Sequence, residues 1–468
     1  MGSVTNLVVR GLTDEESESL HVNLDRLLNR RRDNFRRSSL YDGKSAMSRS
    51  SVVPEQYYRL GIALGWSAKA IDALCRRTQL ERFTWTDGDL DALGMTQLER
   101  DNALRSEMTQ ALTDSALHGI SFLINTQGAD GEPSSLIHAR DALSATGTWN
   151  PRVRRLDDAL SVTRWDEHDD KRPVEFALYL DGRTVSVVLV DGKWQIDRTE
   201  HPWGVPVEPL VYKPRPSRRY GQSRLTRPIM GLHMQAVREL IRLEGHMDIY
   251  SYPEFWLLGG DMSSFKNADG SQKAVWQVML GRLKGIEDNP EKAAEGLARA
   301  DVKHFPAASP EPHGVALDLL SRAFAREASL PDSAVALKGT SNPTSADSYD
   351  ASQYELIAEA EGAMADWSRP LTRSVARGLA IQNGTREIPD EWLSIRPDWL
   401  GAKFESRAAK ADAGAKQLSV VPWLAETEVG LELLGLEPEQ IKRALAERGR
   451  ASGRQRMLEV LTRGDDES

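Results

Sequence analysis

Lys213–Tyr250 reads KPRPSRRYGQSRLTRPIMGLHMQAVRELIRLEGHMDIY, and its two halves follow different physics. The first half, Lys213–Arg227, holds six basic residues, two prolines and no acid. Proline fixes φ and removes a backbone donor, so an irregular segment is predicted there. From about Ser223 to Tyr250 the period changes. Ile229, Leu232, Ala236, Leu240 and Leu243 recur on one side of a helix, with Pro228 tolerated in its first turn or two. Pro253 ends that helix, and Phe255-Trp256-Leu257-Leu258 reads as a strand. Residues 261–312 read as a small mixed insert, apolar-patterned over Lys273–Leu283 and proline-rich over Ala307–Pro312. A second helix is predicted from about Gly314 to Leu330, with Leu317, Leu320 and Phe324 on one face and Pro331 closing it.

Pro331–Ser345 (PDSAVALKGTSNPTS) then joins this helix to a third. Helix–helix connections usually take about 2–8 residues, so this one is long. It is rich in small residues and carries one cation, Lys338. Long loops on rigid helices often carry function, although an ordinary connection is the plainer reading. Thr344-x-x-Asp347 resembles a capping box opening a helix toward Ile381. That helix would run ~35 residues or ~50 Å, with Pro370 kinking or dividing it. Asp347, Asp350, Glu355, Glu359 and Glu361 precede Arg369, Arg373 and Arg377, a polarity that suits the helix dipole.

Toward the N-terminus, residues 13–50 read as a helix, then a basic segment (Arg30, Arg31, Arg32, Arg36, Arg37), then a turn at Asp42-Gly43. Pro54–Leu117 is mostly helical in pattern, including Leu60, Leu64, Ala68 and Ile71. Ile120–Ile124 is a short apolar strand. Residues 135–212 are β-rich, with Ser161–Trp165, Val174–Leu180, Thr184–Val190 and Lys193–Ile196 as strands. Asp181-Gly182 and Asp191-Gly192 between them are hairpin signals, because such turns need residues that accept positive φ. Toward the C-terminus, Ile388–Trp399 reads as extended, residues 402–463 as helical, and Gly464–Ser468 as a short acidic tail.

Composition narrows the function classes. The 468 residues suffice for two or three domains, and 60 Lys+Arg against 69 Asp+Glu leave a net charge of −9. This is no protein that coats nucleic acid by bulk charge. One cysteine, Cys75, excludes a disulfide framework or a Cys-rich metal site, and its Ala/Leu/Arg helical context reads as buried or inert. Apolar runs such as Val185–Val190 fall far short of the ~20 residues of a spanning helix. Met1–Leu20 has no apolar signal core.

Catalytic motifs are scarce. Asp42-Gly43-Lys44-Ser45 ends like a phosphate-binding loop, but Ser38 stands where its first glycine belongs, so a turn is the better reading. Asp166-Glu167-His168-Asp169-Asp170 contains metal-ligand types, yet neighbouring residues point different ways and a solvated loop is expected. No H-E-x-x-H or G-x-S-x-G occurs. No cofactor is implied. The run 213–227 could meet phosphates through Arg218, Arg219, Arg224 and Arg227, or could be a solvated linker.

Four stretches, taken in order, carry a resemblance. They are RRSSLYDGK (Arg36–Lys44); HPWGVPVEPLVYKPRP (His201–Pro216) with GQSRLTRPIMGLHMQAVRELIRLEGHMDIYSYPEFWLLG; NPTSADSYDASQYELIAEAE (Asn342–Glu361); and RPDWLGAKFESRAAKADAGAK with VGLELLGLEPEQIKRAL. Each is short, but their order and spacing resemble the portal proteins of tailed bacteriophages, particularly the branch found in phages of actinobacteria. The resemblance covers about residues 20 to 450.

It implies an α+β portal fold: a wing over residues 1–220, a first stem helix over 221–250, a clip over 251–312 and a second stem helix over 313–330. A tunnel loop over 331–345, a long helix and C-terminal wing over 346–403, and a helical crown and tail over 404–468 would follow. It implies a structural protein, not an enzyme. About twelve copies would ring one capsid vertex, and double-stranded DNA would pass through during packaging and ejection. Val335, Ala336, Leu337, Lys338, Gly339, Thr340, Ser341 and Asn342 would line the channel. Expected partners are non-specific double-stranded DNA, the terminase large subunit, the major capsid and scaffolding proteins and a head–tail adaptor, with no membrane. The location would be the virion, after assembly in the host cytoplasm. A wall lined by many cations would hold DNA rather than pass it, so the net charge of −9 suits a conduit. Two other classes stand beside this one. A minor capsid or adaptor protein would show no ring in images. A metal-dependent DNA-processing enzyme using Asp166–Asp170 would cleave DNA with Mg²⁺.

Overall fold

The computed structural model describes residues 7–44, 57, 61–250, 254–258, 283–286, 301–305, 307–335, 346–403 and 406–465. Its helices are α1 (Asp14–Tyr41), α2 (Trp66–Cys75), α3 (Met95–Asp101), α4 (Leu104–His118), α5 (Arg227–Tyr250), α6 (Glu311–Glu327), α7 (Ala346–Gln382), α8 (Arg407–Val420), α9 (Glu428–Leu433) and α10 (Pro438–Asp465). Its strands are β1 (Leu80–Thr84), β2 (Ile120–Gln127), β3 (Ser135–Arg140), β4 (Ala145–Asn150), β5 (Arg155–Trp165), β6 (Pro173–Leu180) and β7 (Arg183–Val190). They continue with β8 (Lys193–Glu200), β9 (Val207–Val211), β10 (Glu254–Leu258), β11 (Leu283–Ile286), β12 (Asp301–Phe305) and β13 (Arg396–Trp399). The mixed helix-and-sheet content is that expected of an α+β portal fold. Contacts divide the chain into one unit over Met1–Leu400 and a second over Gly401–Ser468.

The first unit is built around an antiparallel five-stranded sheet in the order β4-β5-β6-β7-β8. The two Asp-Gly turns close its hairpins as two-residue loops, pairing Leu180 with Arg183 and Val190 with Lys193. Gly182, Asp191 and Gly192 all take positive φ, the conformation these turns require. Period-two alternation then decides the layers. Phe176, Leu178 and Leu180 of β6 face one way, with Val185 and Val187, and pack under Leu20, Leu24 and Leu27 of α1. Burying each such side chain contributes ~1.5–3 kcal/mol. Ala177 and Tyr179 face the other way, against Phe122 and Ile124 of β2.

β2 is the centre of a second sheet, ordered β3-β2-β9. Its far face belongs to helices: Ser121 donates to the Ala111 carbonyl of α4, and Asn125 Nδ2 donates to the Ser374 carbonyl of α7. Through the sheets the order is thus the first part of α1, the five-stranded sheet, the three-stranded sheet, then α4 with α7. The end of α1 runs past the sheet to α4 and α2, where Ser38 Oγ lies 3.4 Å from His118 Nε2 and Tyr41 donates to Asp72 at 2.9 Å.

Several elements depart from the sequence expectation. Arg30–Arg37 do not follow the first helix but lie within it, because Leu27, Asn34 and Leu40 keep an inner buried face out to Tyr41. The mostly helical reading of Pro54–Leu117 is broken by β1, which pairs antiparallel with β13. α5 starts at Arg227, not Ser223, and α6 spans Glu311–Glu327 rather than Gly314–Leu330. α7 is not divided at Pro370, since Trp367, Leu371, Val375 and Leu379 keep one continuous buried face across it. The capping residue Thr344, the insert's residues 273–282 and loop residues Ala336–Ser345 lie outside the described residues.

α7 is pinned to the sheet by charge. Glu208 on β9 takes Arg373 at 2.7 Å and Arg377 at 2.9 Å, and all three are buried or nearly so. α5 and α6 pair through Glu239, whose carboxylate lies 2.7 Å from His313 Nδ1 and 3.0 Å from Arg242. In the second unit, Gly414 of α8 meets the Leu433 carbonyl so closely that no Cβ fits there. Arg407–Glu437 and Arg448–Glu426 ion pairs, at 2.7 and 2.8 Å, tie its helices together.

Two expectations follow. Glu208→Gln strands two buried guanidinium groups, so a loss of about 3–5 kcal/mol is expected in denaturant unfolding; a loss within error would contradict the pinning. Asp114 of α4 has its carboxyl pushed up from 3.8 to about 7 by burial, with Asp141 adding to the effect. Folding therefore takes up a proton there, and stability drops as pH rises through that window. His118 runs oppositely: burial lowers it from 6.5 to about 4, so its contribution grows with pH between those values. Asp114→Asn is expected to raise the melting temperature at about pH 8 and change it little at about pH 4. An equal offset at both would contradict the assignment.

Candidate functional site

The basic segment and the helices on either side of the long loop meet at one buried ion pair. After β9 ends, Tyr212 places its ring 6.0 Å from Trp367 of α7, and Trp367 Nε1 donates to Ser115 at 3.0 Å. Lys213 turns the chain in the left-handed region, and Arg215 and Arg218 then exchange backbone hydrogen bonds. The amide oxygen of Gln222 accepts from both guanidinium groups, at 3.1 and 3.3 Å. Gly221 closes the excursion at φ +69, where a Cβ would collide with the carbonyls of Gly119 and Tyr212. Only glycine suits that position. The chain re-enters the body as Ser223 donates to the Leu117 carbonyl at 2.5 Å and the Arg224 N–H donates to the Ala116 carbonyl at 2.9 Å.

The expected phosphate-facing set separates here. Arg218, Arg219 and Arg227 are exposed. Arg224 is 4% exposed and points inward, a correction to the outward reading. Its Nε donates to the Ala70 carbonyl of α2 at 2.6 Å, and Nη2 donates to the Ala328 carbonyl at the end of α6 at 2.7 Å. Nη1 meets the carboxylate of Glu359 on α7. Lys213 and the Tyr212 hydroxyl reach the same carboxylate. Burial alone would push the Glu359 carboxyl up, but the Arg224 guanidinium, with Lys213 and Tyr212, holds it below the usual range. Burial pushes the Tyr212 hydroxyl up. Of the segment's six cations, Arg224 is buried and the exposed Lys213 is ion-paired to Glu359, while Arg215, Arg218, Arg219 and Arg227 are exposed as well.

The flank of the long loop is equally well held. α6 ends at Glu327, Ser329 takes positive φ, and Asp332–Ala334 forms one 3-10 turn. Lys69 Nζ of α2 donates to the Ala334 carbonyl at 2.6 Å. Val335 is 4% exposed and anchors the loop in the body. The remaining expected channel residues, Ala336, Leu337, Lys338, Gly339, Thr340, Ser341 and Asn342, lie outside the described residues. Arg224 touches α6 on one side of the loop and α7 on the other. Sequence reasoning missed Glu359 and Tyr212 as its partners; an acidic helix start was the only signal.

Other candidates have local explanations. In the 166–170 loop, Asp166 accepts from the His168 N–H and Asp169 from the Lys171 N–H, while Asp170 lies 3.5 Å from Arg31. Among the described residues no three His, Cys, Asp or Glu side chains are grouped to hold a metal ion. Asp42-Gly43 caps the end of α1, with Gly43 at φ +68. Burial pushes the Cys75 thiol up to about 11. No described helix is long and apolar enough to cross a membrane.

Replacing Arg224 by Met removes one side of a buried pair, and a stability loss of about 3–5 kcal/mol is expected in denaturant unfolding. Adding Glu359→Met should recover a large part of it, and a strictly additive double variant would contradict the coupling.

The family model described as phage portal protein, SPP1 Gp6-like, matches residues 20–454. The portal protein of Mycobacterium phage L5 is 24% identical over 396 residues, covering 81% of this chain and 77% of that protein. The portal protein of Mycobacterium phage D29 is 24% identical over 374 residues, covering 78% and 74%. Among solved structures, a chain from the neck of an empty GTA particle computed with C6 symmetry aligns with a TM-score of 0.40 and 14% identity, covering 84% of this chain and 95% of that one. A chain from the neck of a native GTA particle computed with C12 symmetry gives 0.39 and 14%, covering 86% and 99%. With its family model spanning nearly the whole sequence, the chain belongs to the phage portal protein family, a structural and not an enzymatic family.

Proposed function

We propose that this portal protein is the ring subunit of a tailed phage's DNA gateway. About twelve copies close around an axis by head-to-tail contact at one capsid vertex. Double-stranded DNA passes through the bore during packaging and ejection. The terminase large subunit docks there first, and a head–tail adaptor and further head-completion proteins later. Major capsid and scaffolding proteins surround the ring during assembly in the host cytoplasm. In this reading α5 and α6 are the stem, the insert between them is the clip, residues 331–345 are the tunnel loop and residues 404–468 are the crown.

The observation that carries the reading is the family match over residues 20–454. The site supports it physically. A conduit must tolerate a moving polyanion without gripping it, and each phosphate neutralised adds salt-dependent affinity. Glu359 withdraws Lys213 and Arg224 from the basic run, so the surface left for DNA is weaker than the sequence suggests. The tunnel loop starts from a fixed point at Val335 and carries Gly339 and small polar residues, which move at modest steric cost.

Deleting Ala336–Gly339 tests the loop's part. Rings are expected to form as before, while the DNA packaged or retained per particle falls when the variant replaces the normal protein in phage assembly. Unchanged packaging would remove the loop from the mechanism.

A further inference from the structure

Two helix stretches of the first unit carry opposite charge, the second half of α1 and the part of α7 that precedes Arg369. On α1, Arg30, Arg32 and Arg36 are exposed, and Phe35 among them is 59% exposed. Asp33 is the acid on that stretch. The neighbouring arginines are already used: Arg31 lies over the Trp165 ring at 4.2 Å and near Asp170, and Arg37 donates to Asn34 at 2.8 Å. On α7 the sequence from Ser352 to Ser368 has no Lys or Arg. Glu355, Glu361 and Asp366 are exposed there, beside Tyr354 at 72%. Glu359, by contrast, is turned inward to Arg224.

Position makes the pattern informative. Leu20–Leu27 of α1 cover the outer face of the five-stranded sheet and the basic stretch continues beyond them, while α7 covers the helical side of the three-stranded sheet. A closed ring needs a heterologous contact, in which one face of each copy meets a different face of the next. Faces of opposite sign on separate helices supply such a pair, and the like-signed pairings are repelled. We infer that the basic face of α1 docks against the acidic face of α7 on a second copy of this chain, an inference that rests on the ring reading above. Arg32 and Arg36, four residues apart, share one stripe, and Glu355 and Glu361 flank the exposed side of α7 from either edge, with an arginine available to the Tyr354 ring between them.

The experiment uses the full-length chain and two charge-reversed forms. One carries Arg32→Glu with Arg36→Glu, so both faces are acidic; the other carries Glu355→Lys with Glu361→Lys, so both are basic. Circular dichroism and melting temperature establish that each is folded, and electron microscopy with sedimentation velocity counts rings. Each form alone should lose ring yield by about tenfold or more, because like charges then face one another. Mixed one to one they should regain rings of alternating copies, and the chain carrying all four changes should ring alone. Rings from either reversed form at the normal yield would overturn the contact while leaving the ring reading intact. Loss of rings that neither mixing nor the fourfold change restores would overturn it too. If the unaltered chain, alone or with its capsid partners, forms no ring, the ring reading itself fails and takes this contact with it.

Discussion

The Arg224–Glu359 pair is the constraint on which the arrangement of this subunit depends. A guanidinium this deeply buried must be fully satisfied, and its donors reach α2, the end of α6 and α7 at once. Lys213 and Tyr212 then complete the carboxylate's shell. One ion pair thereby ties the segment leading into α5, the end of α6 and the helix after the long loop to a common point. A second buried cluster, Glu208 with Arg373 and Arg377, holds the last third of α7 to β9. α7 is thus fastened at two levels, and the loop before it departs from a rigid base.

Around that constraint the body is an ordered stack. Alternation along β6 and β2 assigns each sheet face to one neighbour, the first part of α1 on one side and α4 with α7 on the other, and the end of α1 reaches round to α4. The capping box at Thr13 and Glu16 starts α1 in register with the sheet. Arg198 of the edge strand β8 binds Glu16, which holds that carboxyl down at about 2. This framework leaves charged, solvent-facing stretches on α1 and on α7.

Local signals were legible in the residues, and distant ones were not. The Asp-Gly turns announced the β6–β7 and β7–β8 hairpins because the φ requirement is met by the turn itself. The helical period and bracketing prolines announced α5 and α6 to within a few residues. β1 escaped notice because its partner β13 lies more than three hundred positions away, and five residues carry little period. Arg224 read as an outward cation for the same reason, since Glu359 is 135 residues downstream. Arg30–Arg37 read as a break after the first helix because charge masked the inner positions Asn34 and Leu40 that continue it. Loop length and composition drew attention to residues 331–345, and the family resemblance then assigned Ala336–Asn342 to the channel.

The central claim is that copies of this chain close around a hollow axis. A cryo-electron microscopy reconstruction of the full-length protein, alone or with the capsid and scaffolding proteins proposed as its partners, tests it most directly. The account predicts a closed annulus whose bore admits a DNA duplex and whose α5–α6 pairs stand around that bore. Monomers, an open helical filament or a ring closed at its centre would contradict it.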